Sequence, residues 1–273
     1  MKITSMLFGN LPVWRKAFAL GWTICFILPC FVHGQVELEP EATVANPSRT
    51  GGWPSVDELL NGFYRENGGR LTFEKLRSYR IIGEIRSQGN TSPLWVFRKY
   101  PNRFRIAKSG SNGRDVYGYD GNTFWRGFEQ EGRLTHVERV DSFHPIELAF
   151  EADFQGPMLA LRRLTPDLMV VGAEALNGRQ AYIVEGNTAE GITVRVWVDA
   201  IHFQAVLLSF TINDKAYRIE YSDYRKVGDY WFAHSLKNIA ADGTPITHVI
   251  TKEVTFNPGL FDWFFSPALL SSN

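Results

Sequence analysis

Apolar residues at Val56, Leu59, Leu60 and Phe63 recur at helical spacing. Ser55 precedes them with Glu58 three positions on, the spacing of a capping box, and Gly68-Gly69 closes the segment. A second short helical turn is expected near 73–76. At Tyr79 the period changes to two. Tyr79, Ile81 and Ile85 alternate with Arg80, Ile82, Glu84 and Arg86, which predicts a strand with one mostly polar face. Residues 94–128 continue this alternation and are dense in aromatics. Trp95 and Phe97 share one face of a strand that breaks at Pro101-Asn102. Phe104 and Ile106 alternate with Arg103 and Arg105 on the next, and 116–119 form a third. Asp120-Gly121 is a hairpin signal, after which 123–128 return.

Residues 145–164 read differently. Pro145 suits the first turn of a helix, and Ile146, Ala149, Phe150 and Phe154 follow at helical spacing. Gly156-Pro157 interrupts, then Met158, Leu161, Leu164 and Leu168 resume the pattern. From Val170 strands return, punctuated by Asn177-Gly178, Asn213-Asp214, Gly228-Asp229 and Asp242-Gly243. Ile192, Val194, Val196 and Val198 alternate with Thr193, Arg195 and Trp197, the clearest strand in the chain. Regular hairpins with one inserted helical pair predict an α+β fold on one antiparallel meander, not alternating βαβ units.

The N-terminus carries a targeting pattern. Arg15 and Lys16 precede an apolar run over 17–32, followed by Gly34. A secretory signal over 1–34, cut before Gln35, is the expected reading. An uncleaved anchor and a lipoprotein signal acylated at Cys30 are the other two. The run is short of the ~20 residues a spanning helix needs, and Pro29 stands where acylation takes a small residue. The expected organisation is a signal at 1–34, a linker at 35–54, one domain at 55–267 and a tail at 268–273.

Cleavage changes the composition in two ways. Residues 1–34 contain Lys2, Arg15 and Lys16 and no acid, so 29 − 3 = 26 basic residues face 29 acidic ones, a net charge of −3. That gives no electrostatic case for nucleic acid as a partner. Both cysteines, Cys25 and Cys30, also leave with the signal. Disulfides, zinc-thiolate sites and cysteine nucleophiles then drop out, and the exported domain rests on its hydrophobic core.

The search for chemistry finds little. The histidines form no pair or cluster with metal-ligand spacing, although His234 and His248 could face each other on neighbouring strands. No nucleophile elbow, phosphate loop or dinucleotide fingerprint is present. No carboxylate pair stands out, and Arg98-Lys99 and Arg162-Arg163 read as solvated faces. No catalytic residue, metal site or cofactor is expected. Apolar side chains remain as candidates, because a meander with an inserted helical pair can close a cavity between sheet and helices. Trp95, Phe97, Phe104, Ile106, Tyr117, Tyr119 and Trp125 would line it, and Leu148, Phe150, Leu159 and Leu161 would cap it. The plainer reading of each is core packing.

Several segments, in order, resemble the bacterial lipoprotein-carrier family, the LolA and LolB type of periplasmic protein. Residues 100–106, Tyr-Pro-Asn-Arg-Phe-Arg-Ile, are similar to that family's basic-Pro-Asn-x-Phe-x-Trp segment. Residues 116–125 resemble its strand, Asp-Gly turn and Trp-bearing strand, and His144-Pro145 resembles the opening of its lid helix. Phe264-Phe265-Ser266-Pro267 is similar to its closing Phe-x-x-x-Pro. The carrier type keeps an arginine directly before the first proline, tied to lid closure; here Tyr100 holds that position, with Arg98 and Lys99 just upstream. The resemblance implies a curved, half-open antiparallel β-barrel covered by a few helices. It also implies a non-enzymatic periplasmic carrier that holds acyl chains of lipids or lipoproteins, with a role in outer-membrane lipoprotein sorting. The alternative it leaves is an envelope sensor or interaction module that grips a protein partner on the same fold.

Overall fold

The computed structural model describes residues 52–141 and 144–267. The expected signal, the linker up to residue 51 and the tail lie outside the described residues. Helices α1 (Val56–Glu66) and α2 (Arg70–Phe73) open the domain. Ser55 caps α1 by accepting from the Glu58 amide, while the Glu58 carboxylate accepts from the Ser55 amide at 2.7 Å. The capping box read from the sequence is therefore formed. The second turn starts earlier than expected, directly after Gly69, whose φ of 91° suits a glycine.

Six strands follow: β1 (Ser78–Ser87), β2 (Asn90–Lys99), β3 (Arg103–Ser109), β4 (Arg114–Tyr119), β5 (Phe124–Gln130) and β6 (Arg133–Arg139). The apolar pattern does not flag β6. His136 takes φ 51°, and the β5–β6 register shifts beside it, so Leu134 and Val137 fall out of strict alternation. Helices α3 (Pro145–Ala152) and α4 (Pro157–Leu164) come next. Leu168, read above as helical, is instead the first residue of β7 (Leu168–Leu176), because α4 ends at a Thr165 cap with extended backbone. Strands β8 (Arg179–Asn187), β9 (Thr193–Asp199), β10 (Ala205–Ile212), β11 (Lys215–Val227), β12 (Tyr230–Ile239) and β13 (Pro245–Phe256) complete the sheet.

All thirteen strands form one antiparallel open sheet in the order β6-β5-β4-β3-β2-β1-β13-β12-β11-β10-β9-β8-β7. This is an α+β half-barrel, with one difference from the single meander expected. Two meanders, β1–β6 and β7–β13, are joined where the first strand pairs with the last, Tyr79 opposite Phe256 and Ile85 opposite Val249. Strands β6 and β7 therefore lie at opposite edges. The chain between them has to cross a whole face, and α3 and α4 are that crossing.

The helix-covered inner face holds two apolar clusters. One packs Leu59, Leu60, Met158 and Leu161 of the helices on Val194, Val196, Leu208 and Phe210. The other packs Ala152 and Phe154 on Tyr79, Ile81, Val96, Phe104 and Ile106. The outer face is covered over β2–β5 by the C-terminal 3-10 turn, Asp262–Phe265. There the Trp125 indole N–H donates to the Phe265 carbonyl at 2.8 Å, and Phe97 meets Phe264 edge-on at 4.9 Å.

Gly118 lies directly under the Trp125 ring, where a Cβ would come within 2.2 Å of Cζ2. Trp125 is fully buried and cannot swing away without giving up its bond to Phe265. Gly118→Ala is expected to lower stability by about 1–3 kcal/mol through overpacking, measured as a shift in the denaturant midpoint. An unchanged midpoint would show that the C-terminal turn yields freely.

Candidate binding cavity

The two inner clusters meet over the β1–β13 junction, and packing is incomplete there. A cavity of ≈ 180 Å³ lies between the sheet and the helices. Its floor is built by Ile81 and Val96 from one meander and by Ile219, Leu236 and Val249 from the other. Phe150, Phe154 and Met158 roof it, and Phe63 and Phe73 close one side. Tyr79 and Tyr221 bring the phenols nearest its polar centre; burial raises both pKa values, so they stay neutral.

That polar centre is an ion pair between β2 and α3. Arg98 Nη2 donates to Glu151 Oε1 at 2.9 Å, with the two side chains 10% and 1% exposed. Arg98 Nη1 donates to the Asp153 carbonyl at 3.1 Å and to the Glu151 carbonyl. Glu151 occupies the last turn of α3, the negative end of the helix dipole, where a carboxylate is disfavoured. The guanidinium compensates for both, pairing the carboxylate and capping carbonyls that the helix leaves free. Burial still dominates: it raises the Glu151 pKa to about 7, against the lowering effect of Arg98.

One turn earlier, Glu147 is buried on the same face of α3 and accepts from the Tyr217 hydroxyl of β11. Glu147 also accepts from the His144 amide at 3.2 Å, which completes a second capping box. Helix α3 is thus tied to β11 at its start and to β2 at its end. The following turn is held by Asp153, whose Oδ1 accepts from the Gln155 and Gly156 amides at 2.7 and 2.6 Å. Asp153 also pairs with Arg163 of α4.

The residues named from the sequence divide between the faces. Phe104, Ile106, Tyr117 and Tyr119 lie on the inner face of β3 and β4, packed with Leu148 of α3. Phe150 reaches the cavity and stacks on Phe210 with ring centroids 5.4 Å apart, while Leu159 and Leu161 are buried against the C-terminal meander. Trp95, Phe97 and Trp125 are on the outer face. The expectation that they share a face with Phe104 is corrected by the register: Trp95 pairs with Ala107 and Phe97 with Arg105, so both take the other side of the pleat. Trp95 and Trp125 pack with Ala107 and Val116, and Phe97 under the C-terminal turn.

Arg98 is the second correction. Read as a solvated charge, it is 8% exposed, because it stands opposite Phe104 and points inward. Tyr100, at the position where the carrier type keeps its arginine, is 42% exposed beneath Arg77, and Arg98 two residues upstream makes the contact to α3. A usable signal was present: Glu147 and Glu151 sit one helical turn apart, interleaved with Ile146 and Phe150, which puts two carboxylates on an apolar face. His234 and His248 do not face each other, since His248 bonds Ser235 at 2.8 Å on the opposite side of β12. Among the described residues, no group of three His, Cys, Asp or Glu side chains could hold a metal, and no helix is long and apolar enough to cross a membrane.

No family model and no curated protein matches the chain. Among solved structures it is similar to a DUF1329 family protein from Desulfovibrio piger, with a TM-score of 0.56 and 14% identity over 79% of this chain and 98% of that one. It is similar to a putative outer membrane lipoprotein-sorting protein domain from Vibrio parahaemolyticus, at 0.54 and 14% over 79% and 97%. A LolA superfamily protein from Nitrosomonas europaea matches at 0.55 and 9% over 80% and 100%. The chain has a LolA-like fold.

The buried carboxyl sets a pH dependence. The Glu151 pKa is raised from 4.5 to about 7 on folding, so its contribution to stability is fully present below about pH 4.5 and is lost as pH rises through 7. The melting temperature should therefore fall between pH 5 and 8 beyond any background trend. In Glu151→Gln, which keeps an acceptor for Arg98 without the charge, that component should disappear. A wild-type slope surviving in the variant would place the titrating group elsewhere.

Proposed function

We propose that this chain is an exported, non-enzymatic carrier that buries acyl chains of a lipid or lipoprotein between the sheet and the α3–α4 cover. The observation that carries the reading is an apolar cavity at the meander junction, roofed by helices whose inward face is pinned to β2 by Arg98 and Glu151. The LolA-like fold supports it, and the signal pattern ahead of Gln35 supports export to the periplasm. A role in outer-membrane lipoprotein sorting is the finer form of the same proposal.

The dimensions call for movement. At ≈ 180 Å³ the cavity falls below the ~300–1,000 Å³ of ligand pockets. An acyl chain enters only if α3 and α4 lift. Burying a methylene stabilises by about 0.8 kcal/mol, so twelve of them bring roughly 10 kcal/mol. Leaving one partner of a buried ion pair without the other costs about 3–5 kcal/mol, an upper bound on parting Arg98 from Glu151. Chain burial therefore exceeds the cost of undoing the latch, whereas a short-chain ligand would not offset it. Removing the ligand lets the pair re-form and the cover close.

A second reading, a module that grips an envelope protein, is favoured by one feature. Edge strand β7 exposes Met169 and Val171 at 57% and 40%, beside backbone groups that a partner strand could pair. Co-purification of one stoichiometric protein without lipid would favour that reading.

Solvent extraction of the purified protein followed by mass spectrometry should recover acyl lipid, and a fluorescent acyl probe should bind. Val249→Phe, which adds bulk to the cavity floor, should weaken the probe by about tenfold, equivalent to 1.4 kcal/mol, with the fold retained. Arg98→Met should speed probe exchange in stopped-flow mixing, because the cover loses its polar anchor. Protein that repeatedly carries no lipid and takes up no probe would sink the carrier reading.

A further inference from the structure

The outer face carries a feature that the inner cavity does not explain. Phe261 and Trp263 are 66% and 49% exposed, and their rings stack at 6.1 Å with an interplanar angle of 9°. They project from a turn that is firmly held. Lys99 Nζ donates to the Leu260 carbonyl at 2.7 Å and pairs with Asp262 at 2.6 Å. Arg105 donates to the Phe264 carbonyl at 3.3 Å, and Trp125 to that of Phe265 at 2.8 Å. Two large rings fixed side by side in water are what a soluble surface avoids.

The charges on the same face favour one kind of partner. On this face three carboxylates each hold two cations. Glu129 holds Arg105 and Arg114, Asp262 holds Lys99 and Arg103, and Glu84 holds Arg86 and Lys252. Six cations against three acids leave an excess of 6 − 3 = +3, while the chain after residue 34 carries −3. Arg80 and Glu253 pair one to one and do not change the sum. At Glu129 and Glu84 the sign that reaches solvent is positive: Arg114, Arg86 and Lys252 are 45%, 55% and 61% exposed against 15% and 13% for the two acids, while Asp262, 63% exposed between the rings, is paired by Lys99 and Arg103 at 26% and 27%.

We propose that the outer face of β13 and β1–β5 docks on an anionic lipid surface, with Phe261 and Trp263 seated at the headgroup–acyl boundary and the cations along the same face on the headgroups. Aromatic rings favour that boundary, and each nearby cation adds about 1 kcal/mol on an anionic leaflet. A protein partner would fit the rings but would gain less from positive charge spread over several strands. The proposal stands whether or not the inner cavity holds a ligand.

The test uses the processed, soluble protein with vesicles of phosphatidylglycerol and, separately, of phosphatidylcholine. Flotation should show binding to the anionic vesicles that weakens with salt. Phe261→Ser/Trp263→Ser should lower it by about tenfold or more, and Arg114→Gln/Lys252→Gln, which removes two cations without setting a new carboxylate against Glu129 or Glu84, should weaken it and flatten its salt dependence. Because these side chains are exposed, melting temperature and acyl-probe uptake should stay at wild-type values, which separates this surface from the inner cavity. Wild-type protein that does not float with anionic vesicles overturns the proposal. So does aromatic-variant protein that floats equally well, or capture through Trp263 of a protein partner in place of lipid.

Discussion

Pairing of β1 with β13 is the constraint from which the architecture follows. It places the first and last strands side by side at the centre, so the ends of the two meanders, β6 and β7, become the outer edges. The connection between those edges has to span one face, and it spans as two short helices with apolar sides inward. A cover crossing both meanders touches each through different residues. Phe154 packs on Tyr79 of β1, at 5.2 Å between ring centroids, and Phe150 on Phe210 of β10. The gap between these contacts lies over the central pair, and the cavity is found there.

The same crossing explains why a charge pair sits in the core. Helix α3 ends over β2 with its carbonyls unpaired, in a place water does not reach. An apolar neighbour there would leave the Glu151 and Asp153 carbonyls unsatisfied, at about 1–3 kcal/mol for each buried polar group. Arg98 satisfies them, and Glu151 then balances the guanidinium. Such a pair contributes little net stability compared with an apolar contact of equal size. It is directional, however, and holds the helix end at one position over β2. It is also sensitive to protonation, which an apolar contact is not.

Much of the fold was legible because local rules and tertiary packing agree. The Ser55 and Glu58 box, the Pro145 helix start and the Asp120-Gly121 and Asn177-Gly178 turns are local signals, and each is met. Which side of a strand faces inward is not local. Alternation divides β2 into Trp95 and Phe97 on one side and Val96 and Arg98 on the other, and aromatic weight favours the first set. The outcome is reversed because residues 261–265 fold back over the outer side and bury it as well. Both sides of β3 are buried for the same reason, with Phe104 and Ile106 inward and Arg105 and Ala107 outward. Arg98 was misread because a charged residue beside Lys99 looks solvated until Glu151, 53 positions away, is brought over it.

The C-terminal turn also links the two faces mechanically. Residues Phe97 and Lys99 hold the turn from outside, while Arg98 between them holds α3 from inside. Three consecutive positions of one strand therefore anchor the inner cover and the outer aromatic platform. A shift of β2 large enough to disturb one anchor would disturb the other, because side chains on a pleated strand move with a common backbone. Arg98 stands one residue from each outer anchor, so the inner latch and the outer platform are set by the same short run of β2.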